Sequence, residues 1–397
     1  MEVIKLDHQG RGLGYIDGVI TFVSGALPKE TVEVEIVSGG PRYNIAKLID
    51  IKEPSSKRVN PKCKYFSSCG GCSLMNMSYD NTMRYKKEKM TDILSRYAGL
   101  SPNIEVIRSK DKYHYRNKIR IQLVNGIINY FEYDSKNLTN INYCLVAKEA
   151  INEFLGDISY LNLNNAEITI RSNYNNELVV VIETEEQNKV NIEHLKSKHK
   201  IAGIVFNKEL IFGDAFFTEI IFNKIFRVSY DAFFQINNNI NENIFAILDE
   251  HILPNSDVLD LYCGVGTLGI NVAKWVRSVS GVEINQNAIE DALINAKMNK
   301  VANIKFFLGN VSDVIKKIPY SIDSVIVDPP RSGLISKDIS TIIDINPKQI
   351  IYISCDPMTL ARDLSVLKDK YEIEKFYLLD MFPYTYHVEN MCILKKK

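Results

Sequence analysis

The last third of this chain alternates apolar runs of β-type residues with stretches of helical periodicity. That alternation is typical of a mostly parallel sheet with helices on both faces, because each parallel strand is reached through a crossover connection. The apolar run at 258–261 leads into Gly264-x-Gly266-x-x-Gly269, the glycine pattern of a dinucleotide-binding turn. We therefore predict that residues 223–397 form an α/β domain whose ligand lies at the carboxyl ends of the strands.

The residues that follow the later strands indicate which ligand this is. A second apolar run ends at Glu283, about 20 residues beyond the glycines, where a carboxylate can accept hydrogen bonds from ribose hydroxyls. A further run ends in Asp328-Pro329-Pro330, and two prolines enforce a rigid extended turn that presents the aspartate to the ligand crevice. Nicotinamide enzymes have no particular need for such a turn, whereas methyltransferases acting on planar nitrogen-containing bases present it. The pattern favours S-adenosylmethionine over NAD.

A cysteine and a glutamate supply further candidate chemistry. Cys355 directly follows the run at 349–354, and this polar strand end favours a nucleophile over a small core residue. Glu389 lies on another strand-like edge, either as a general base or as an ordinary exposed carboxylate. C5 of uracil is a poor nucleophile until a thiolate adds at C6, and a base must then remove the C5 proton. Cys355 and Glu389 match these two roles.

Four of the seven cysteines point to a metal site. Cys63, Cys69 and Cys72 lie within ten residues, and Cys144 is the only other cysteine before residue 263. Zinc and an iron-sulfur cluster both accept four thiolates. The unequal spacing lacks the paired knuckles usual for zinc, which favours a [4Fe-4S] cluster over zinc and over free buried cysteines.

The N-terminal 54 residues carry three β-type runs, at 19–23, 31–37 and 45–49, separated by glycine-rich turns. These runs predict a small closed barrel of about five strands. Barrels of this kind bind single-stranded nucleic acid, or serve as structural or protein-binding modules, so the shape alone does not decide the function.

Positive charge is concentrated between Lys57 and Arg120, although the whole chain balances 48 basic against 48 acidic residues. This segment holds 15 Lys and Arg against 5 Asp and Glu, a balance of +10, with aromatic residues interleaved. Such a mixture suits phosphate neutralisation with base stacking, so we expect RNA as the partner. The alternative is a solvated helix face around Arg84 to Lys89.

The clearest strands of the region that follows are predicted at 119–123, 166–170 and 178–182.

Motifs spread along nearly the whole chain belong together. They are Gly12-Leu13-Gly14 with the run from Phe22 to Glu30, the four cysteines, Tyr115-Arg116-Asn117-Lys118, the run from Phe233 to Asn237, the run from Ser354 to Asp363, and His387-Val388-Glu389. The set resembles the RNA 5-methyluridine methyltransferase family, specifically its bacterial 23S rRNA members with a TRAM domain and an iron-sulfur cluster. Lys29 stands where the family more often has glycine, and Asp356 where it usually has asparagine. The second departure is expected to change only the pKa of Cys355.

The resemblance implies a multidomain fold. It implies an OB-like β-barrel, the TRAM domain, at 1–54 and a central RNA-binding α+β domain with the Fe-S site at 55–222. A Rossmann-like, S-adenosylmethionine-dependent methyltransferase domain would occupy 223–397. With neither a signal-like N-terminus nor a run of about 18 apolar residues, we expect a cytoplasmic protein without a membrane partner or an obligate protein partner.

The resemblance also implies roles for individual residues. Gln235 would contact the methyl donor or the target base, Tyr262 and Glu283 would hold S-adenosylmethionine, and Asp328 would lie between donor and uracil. The nucleophile would be Cys355 and the general base Glu389. The ligands of the [4Fe-4S] cluster would be Cys63, Cys69, Cys72 and Cys144.

The expected reaction is therefore methylation of uracil C5 in RNA to give 5-methyluridine. The resemblance favours 23S rRNA as substrate, because the bacterial tRNA branch generally lacks both the TRAM domain and the cluster. A tRNA uracil-C5 methyltransferase is the alternative. Two readings from other classes are a non-catalytic RNA-binding or assembly protein and an iron-sulfur oxidoreductase using NAD. Cys355 and Glu389 argue against the first, and the Asp-Pro-Pro turn argues against the second.

Overall fold

The computed structural model of the chain describes residues 1–133, 135–187, 190–315, 318 and 321–397. The named strands within these ranges form four sheets, of five, seven, two and eight strands. Helices in the same ranges are too short or too polar to cross a membrane.

The N-terminal residues form the predicted barrel. Its strands are β1 (Lys5–Leu6), β2 (Gly12–Ile16), β3 (Val19–Val23), β4 (Thr31–Gly39) and β5 (Tyr43–Glu53). They pair in the order β1-β2-β3-β5-β4, and a bridge between Glu2 and Thr31 joins the two edges of the sheet into a barrel. Lys29, just before β4, has a φ of 69°, a left-handed conformation that costs a residue with a Cβ more than it costs glycine. This conformation explains why glycine is commoner there.

The central part of the chain forms the seven-stranded sheet and a long helix that precedes it. Its elements are α1 (Tyr79–Ile93), β6 (Ile104–Ile107), β7 (Lys118–Val124), β8 (Ile127–Phe131), β9 (Leu138–Asn140), α2 (Glu149–Gly156), β10 (Ala166–Ser172), β11 (Leu178–Glu183), α3 (Ile192–Lys198), β12 (Ile201–Phe206) and β13 (Glu209–Gly213). The sheet order is β13-β12-β11-β10-β7-β8-β9, without β6. The three strands predicted in this region correspond to β7, β10 and β11.

The C-terminal part is the α/β domain. Its elements are the hairpin β14 (Phe216–Ile221) and β15 (Lys224–Ser229), then α4 (Asn238–His251), β16 (Asp257–Leu261), α5 (Thr267–Val272), β17 (Ser278–Glu283), α6 (Gln286–Met298), β18 (Ile304–Leu308), α7 (Val311–Val314), β19 (Ser324–Val327), α8 (Ser336–Ile345), β20 (Gln349–Ser354), α9 (Pro357–Leu367), β21 (Tyr371–Leu379) and β22 (Glu389–Lys396). The large sheet runs β18-β17-β16-β19-β20-β22-β21-β6. Strands β16 to β20 are parallel and β22 is antiparallel to β20. The order reverses direction between β16 and β19, which is where open α/β sheets bind ligands.

Two elements within the predicted central segment 55–222 pack on the C-terminal sheet. Strand β6, placed by the sequence in the central domain, pairs in parallel with β21 and extends the C-terminal sheet. Helix α1 packs on the same domain, and its Met83, Met90 and Ile93 share a hydrophobic cluster with Leu364 and Phe376. The predicted boundary between 222 and 223 falls in the turn of the β14–β15 hairpin. Pairing between strands more than 260 residues apart leaves no local pattern in the sequence. The sequence therefore could not predict that β6 joins the C-terminal sheet.

Candidate active site and the cysteine cavity

The pairing register brings the predicted catalytic residues to one edge of the large sheet. Val327 of β19 is level with Tyr352 of β20, so Asp328 and Cys355 both emerge beyond the carboxyl ends of these strands. Ser354 pairs with Asn390 in the antiparallel β22, which sets Glu389 opposite the position that Cys355 occupies. The nucleophile and base predicted from sequence are therefore neighbours in space.

Glu389 and Asp328 are neighbouring carboxyl groups, of which the first is buried and the second half-buried. Burial raises the pKa of Glu389 well above its usual value, the charge of Asp328 raises it further, and Arg331 opposes both effects. Burial raises the pKa of Asp328 to about 7, and a hydrogen bond from Gln235 opposes this shift. The Oε1 atom of Glu389 has no hydrogen-bond partner among the described residues. A carboxyl group in this state binds a proton readily.

The Cys355 thiol is partly buried between these carboxyl groups and the start of α9. Burial raises the pKa of Cys355 to about 12, with further contributions from Glu389, Asp328 and Asp356 and an opposing one from Arg331. Asp356 caps α9 by accepting hydrogen bonds from the amides of Met358 and Thr359 at 3.0 and 2.9 Å. The carboxylate that replaces the usual asparagine thus raises the pKa of the adjacent thiol, as expected.

The residues predicted to bind the methyl donor surround the glycine turn after β16. Gln235, Tyr262 and Asp328 line one cavity together with Gly264. Glu283 stands at the end of the neighbouring β17, where its carboxylate accepts a hydrogen bond from the Gly264 amide at 3.1 Å. The same carboxylate accepts two more from the backbone amides of residues 284 and 285, both at 2.8 Å. All four predicted residues therefore lie at the same edge of the sheet as Cys355.

Glycine is required at two positions of this turn. Gly266 has a φ of 82°, and a Cβ there would lie 2.9 Å from the ring of Phe306. A Cβ at Gly269 would lie 2.8 Å from a carboxylate oxygen of Asp260. The amide of Gly269 donates to that oxygen at 2.9 Å, which fixes the turn against β16.

Three residues to which the sequence assigned no individual role support this site. Asp260 is fully buried within β16, and burial raises its pKa to about 7. The signal for it is a single acidic residue inside an apolar strand. Arg331, directly after the two prolines, is a cation whose charge opposes the rise in the pKa of both Cys355 and Glu389. Asn117 donates to the backbone carbonyl of Gln235 at 3.0 Å, so the central motif contacts a residue predicted to bind the methyl donor or the target base.

The four cysteines predicted to bind a cluster line one cavity of about 280 Å³. Burial raises the pKa of Cys69 to about 11 and also raises the pKa of Cys72 and Cys144. The neighbouring thiols raise the pKa of Cys69 and Cys72 further. Within the described ranges no three Cys, His, Asp or Glu side chains are grouped as ligands of a single ion. The donor set fits a group that takes four thiolates, because such a group would remove the cost of placing these sulfurs together.

Two lysines of the predicted RNA-binding segment have a different role. Lys86 and Lys89 of α1 are buried rather than solvated, and Lys86 forms an ion pair with Asp380 at 2.6 Å. The solvated-face alternative is therefore wrong for these two residues.

A cavity of about 850 Å³ between the barrel and α1 is still lined by six Lys and Arg against three Asp and Glu. Arg11 of the barrel and Arg84 of α1 both line it.

Comparisons with known proteins agree with this organisation. The family model described as tRNA (Uracil-5-)-methyltransferase matches residues 78–397, and the TRAM domain model matches residues 2–49. An uncharacterized RNA methyltransferase of Caldanaerobacter subterraneus subsp. tengcongensis is 34% identical over 444 residues, covering 100% of this chain and 97% of that protein. An uncharacterized RNA methyltransferase of Staphylococcus aureus is 30% identical over 440 residues, with the same coverage.

One solved structure is similar along the whole chain. It is the tRNA (uracil-54, C5)-methyltransferase of Pyrococcus abyssi in complex with S-adenosyl-L-homocysteine. The TM-score is 0.80 and the identity 26%, and the match covers 99% of each chain.

Proposed function

This chain belongs to the tRNA (uracil-5-)-methyltransferase family and is an S-adenosylmethionine-dependent RNA methyltransferase, and from that premise we propose that it methylates uracil C5 in 23S rRNA through a covalent adduct on Cys355. One observation carries this proposal. The register of β20 and β22 sets Cys355 opposite Glu389, with Asp328 at the same edge of the sheet. A thiol and a carboxylate in adjacent positions are what addition at C6 and proton removal at C5 require.

The proposed reaction begins with bond formation between the Cys355 sulfur, as thiolate, and C6 of uracil. The π electrons of the C5–C6 bond move toward the C4 carbonyl and give an enolate, which makes C5 nucleophilic. S-adenosylmethionine supplies the methyl group and a positive charge. C5 bonds to that methyl group as the sulfonium–carbon bond breaks. Glu389 then removes the C5 proton, the C–H electron pair re-forms the double bond, and the C6–S bond breaks to return the thiolate.

We propose that Arg331 partly offsets the effect of the acidic residues around the half-buried Cys355 thiol. A thiolate has to form beside three acidic residues, and each negative charge there raises the pKa of Cys355. The positive charge of Arg331 acts in the opposite direction on Cys355 and on Glu389. We assign it the role of stabilising the thiolate and of opposing, in part, the shift that favours the protonated form of Glu389.

Binding of the methyl donor is assigned to Gln235, Tyr262, Glu283 and Asp328. The support is their common position around the Gly264 turn, at the point where the strand order reverses. Tyr262 has a φ of 60°, and its hydroxyl donates to Asp338, so the ring is held at the mouth of this turn.

A [4Fe-4S] cluster is proposed for Cys63, Cys69, Cys72 and Cys144. The support is that all four thiols line one cavity, whose wall requires glycine at position 70. A Cβ at Gly70 would lie 2.8 Å from the Glu132 carbonyl oxygen. Iron and sulfide analysis of anaerobically purified protein tests this assignment. We expect about four irons per chain, lost in Cys69→Ser, whereas bound zinc or a metal-free protein would contradict it.

The substrate proposal has one alternative with specific support. The Pyrococcus abyssi protein, which resembles this chain over 99% of its length, is a tRNA enzyme, so the shared architecture does not by itself favour rRNA. Methylation of unmodified 23S rRNA and tRNA, followed by nucleoside mass spectrometry and mapping, separates the two. New 5-methyluridine in 23S rRNA alone is the expected result. The same product only in tRNA would overturn the substrate, and no product in either would overturn the reaction.

A further inference from the structure

Glu389 begins β22 after a nine-residue connection, residues 380–388, that has no regular structure. We call residues 380–388 the base segment. Its internal hydrogen bonds include those from Thr385 to the carbonyl of Phe382 and from the His387 amide to Thr385. Glu389 pairs with Leu379 as the first residue of β22, so residues 380–388 form the loop that closes this strand pair directly beside the base. The contacts that hold this loop therefore affect how the side chain at the start of β22 is placed.

The base segment is held by the part of the chain that precedes the catalytic domain. Lys86 donates to the Phe382 carbonyl at 2.9 Å while it pairs with Asp380. One turn further along α1, Lys89 donates to the Tyr386 carbonyl at 2.9 Å. Both lysines are buried, and burial together with the charge of Lys86 lowers the pKa of Lys89 to about 8. The ammonium groups of both lysines therefore donate hydrogen bonds to backbone carbonyls of the base segment.

A second set of contacts comes from the residues directly after Cys72. The amides of Ser73 and Leu74 both donate to the Tyr384 carbonyl, at 3.2 and 2.9 Å. In return, the Tyr386 amide donates to the Ser73 hydroxyl at 2.9 Å. Tyr384 has a φ of 60°, a conformation that persists in a residue with a Cβ only when its surroundings enforce it. The two residues after Cys72 therefore hold the backbone of the base segment at Tyr384 and Tyr386.

We propose that Ser73, Lys86 and Lys89 are positioning residues that hold the base segment and thereby aim Glu389 at the C5 proton. The inference rests on the proposed function, because it assumes that Glu389 removes that proton. None of the three residues touches the reacting atoms. We expect their effect to fall mainly on the last step, in which the C5–H bond breaks and the thiolate leaves, because Lys89 and Ser73 bond to the base segment, whereas Cys355 follows β20.

The test is whether variants accumulate the methylated covalent intermediate on ordinary uridine RNA. Lys89→Met and Ser73→Ala remove contacts from two different elements, and Lys87→Met changes an exposed residue of the same helix as a matched control. Each protein is incubated with substrate RNA and S-adenosylmethionine, and the protein–RNA adduct is quantified on denaturing gels beside turnover and the KM for RNA. Lys86→Met is examined last, because it leaves Asp380 buried without its partner.

The expected result is a fall in turnover of about 10- to 100-fold for Lys89→Met and Ser73→Ala, the range for a misplaced catalytic group. This fall should come with adduct on ordinary RNA and an RNA KM within about twofold of the wild type, whereas Lys87→Met should accumulate no adduct. Wild-type turnover in both variants, or a loss of turnover without adduct, would overturn the inference. Glu389→Gln is the reference, and its failure to accumulate adduct would overturn the proposed function instead.

Discussion

The Lys86–Asp380 ion pair gives the most quantitative prediction of this structure. Both side chains are fully buried, their charged atoms are 2.6 Å apart, and the pair joins α1 to the end of β21. Asp380 also accepts a hydrogen bond from the Tyr79 hydroxyl at 2.8 Å. Removing one member of a buried pair leaves an uncompensated charge and typically costs about 3–5 kcal/mol of unfolding free energy. We expect Lys86→Met to lower the stability of the C-terminal domain by that amount.

The assay uses the chain's single tryptophan, Trp275, which lies after α5 in that domain. Urea unfolding followed by its fluorescence is measured for Lys86→Met, Asp380→Asn and the double variant. The double variant has no unpaired charge left at this position, so it should be about 2 kcal/mol more stable than the sum of the two single effects predicts. A loss below about 1 kcal/mol in Lys86→Met, or strict additivity in the double variant, would refute the reasoning.

Three further predictions follow from individual sites. Because the pKa of Cys355 is about 12, its alkylation rate, followed by peptide mass spectrometry, should rise about tenfold per pH unit between pH 7 and 9; a rate independent of pH there would contradict the raised pKa. Gly266→Ala should abolish S-adenosylmethionine binding in calorimetry, since its Cβ would clash with the Phe306 ring, and unchanged affinity would contradict this account of the turn. Lys29→Gly should raise barrel stability by up to about 1 kcal/mol in thermal unfolding because glycine tolerates the left-handed φ, and a loss of stability would contradict it.

The parts of the fold that sequence predicted are those with a local signature. The apolar runs became strands, and the rule that parallel strands present their carboxyl ends at one edge was enough to bring Asp328, Cys355 and Glu283 together. The antiparallel β22 was not implied by that rule. Glu389 reaches the same edge because its chain direction is reversed, which only the observed register shows.

The parts that sequence could not predict depend on contacts between distant residues. A lysine on a polar helix looks the same whether it faces solvent or a buried aspartate about 300 positions away, as Lys86 and Asp380 show. For the same reason α1 and β6 were placed with the central domain although they pack on the catalytic one. Asp260 had a weaker signal, an acidic residue within the apolar β16, whose meaning depends on its bond to Gly269.

The central claim is that Cys355 forms a covalent bond to C6 of the target uracil. The direct measurement uses substrate RNA containing 5-fluorouridine, because fluorine at C5 cannot be removed as a proton and the adduct therefore cannot break down. After incubation with S-adenosylmethionine and digestion, mass spectrometry should find methylated 5-fluorouracil attached to the peptide that contains Cys355, and no adduct in Cys355→Ala. Wild-type protein that makes 5-methyluridine in ordinary RNA yet forms no adduct, or forms it at another residue, would contradict the account.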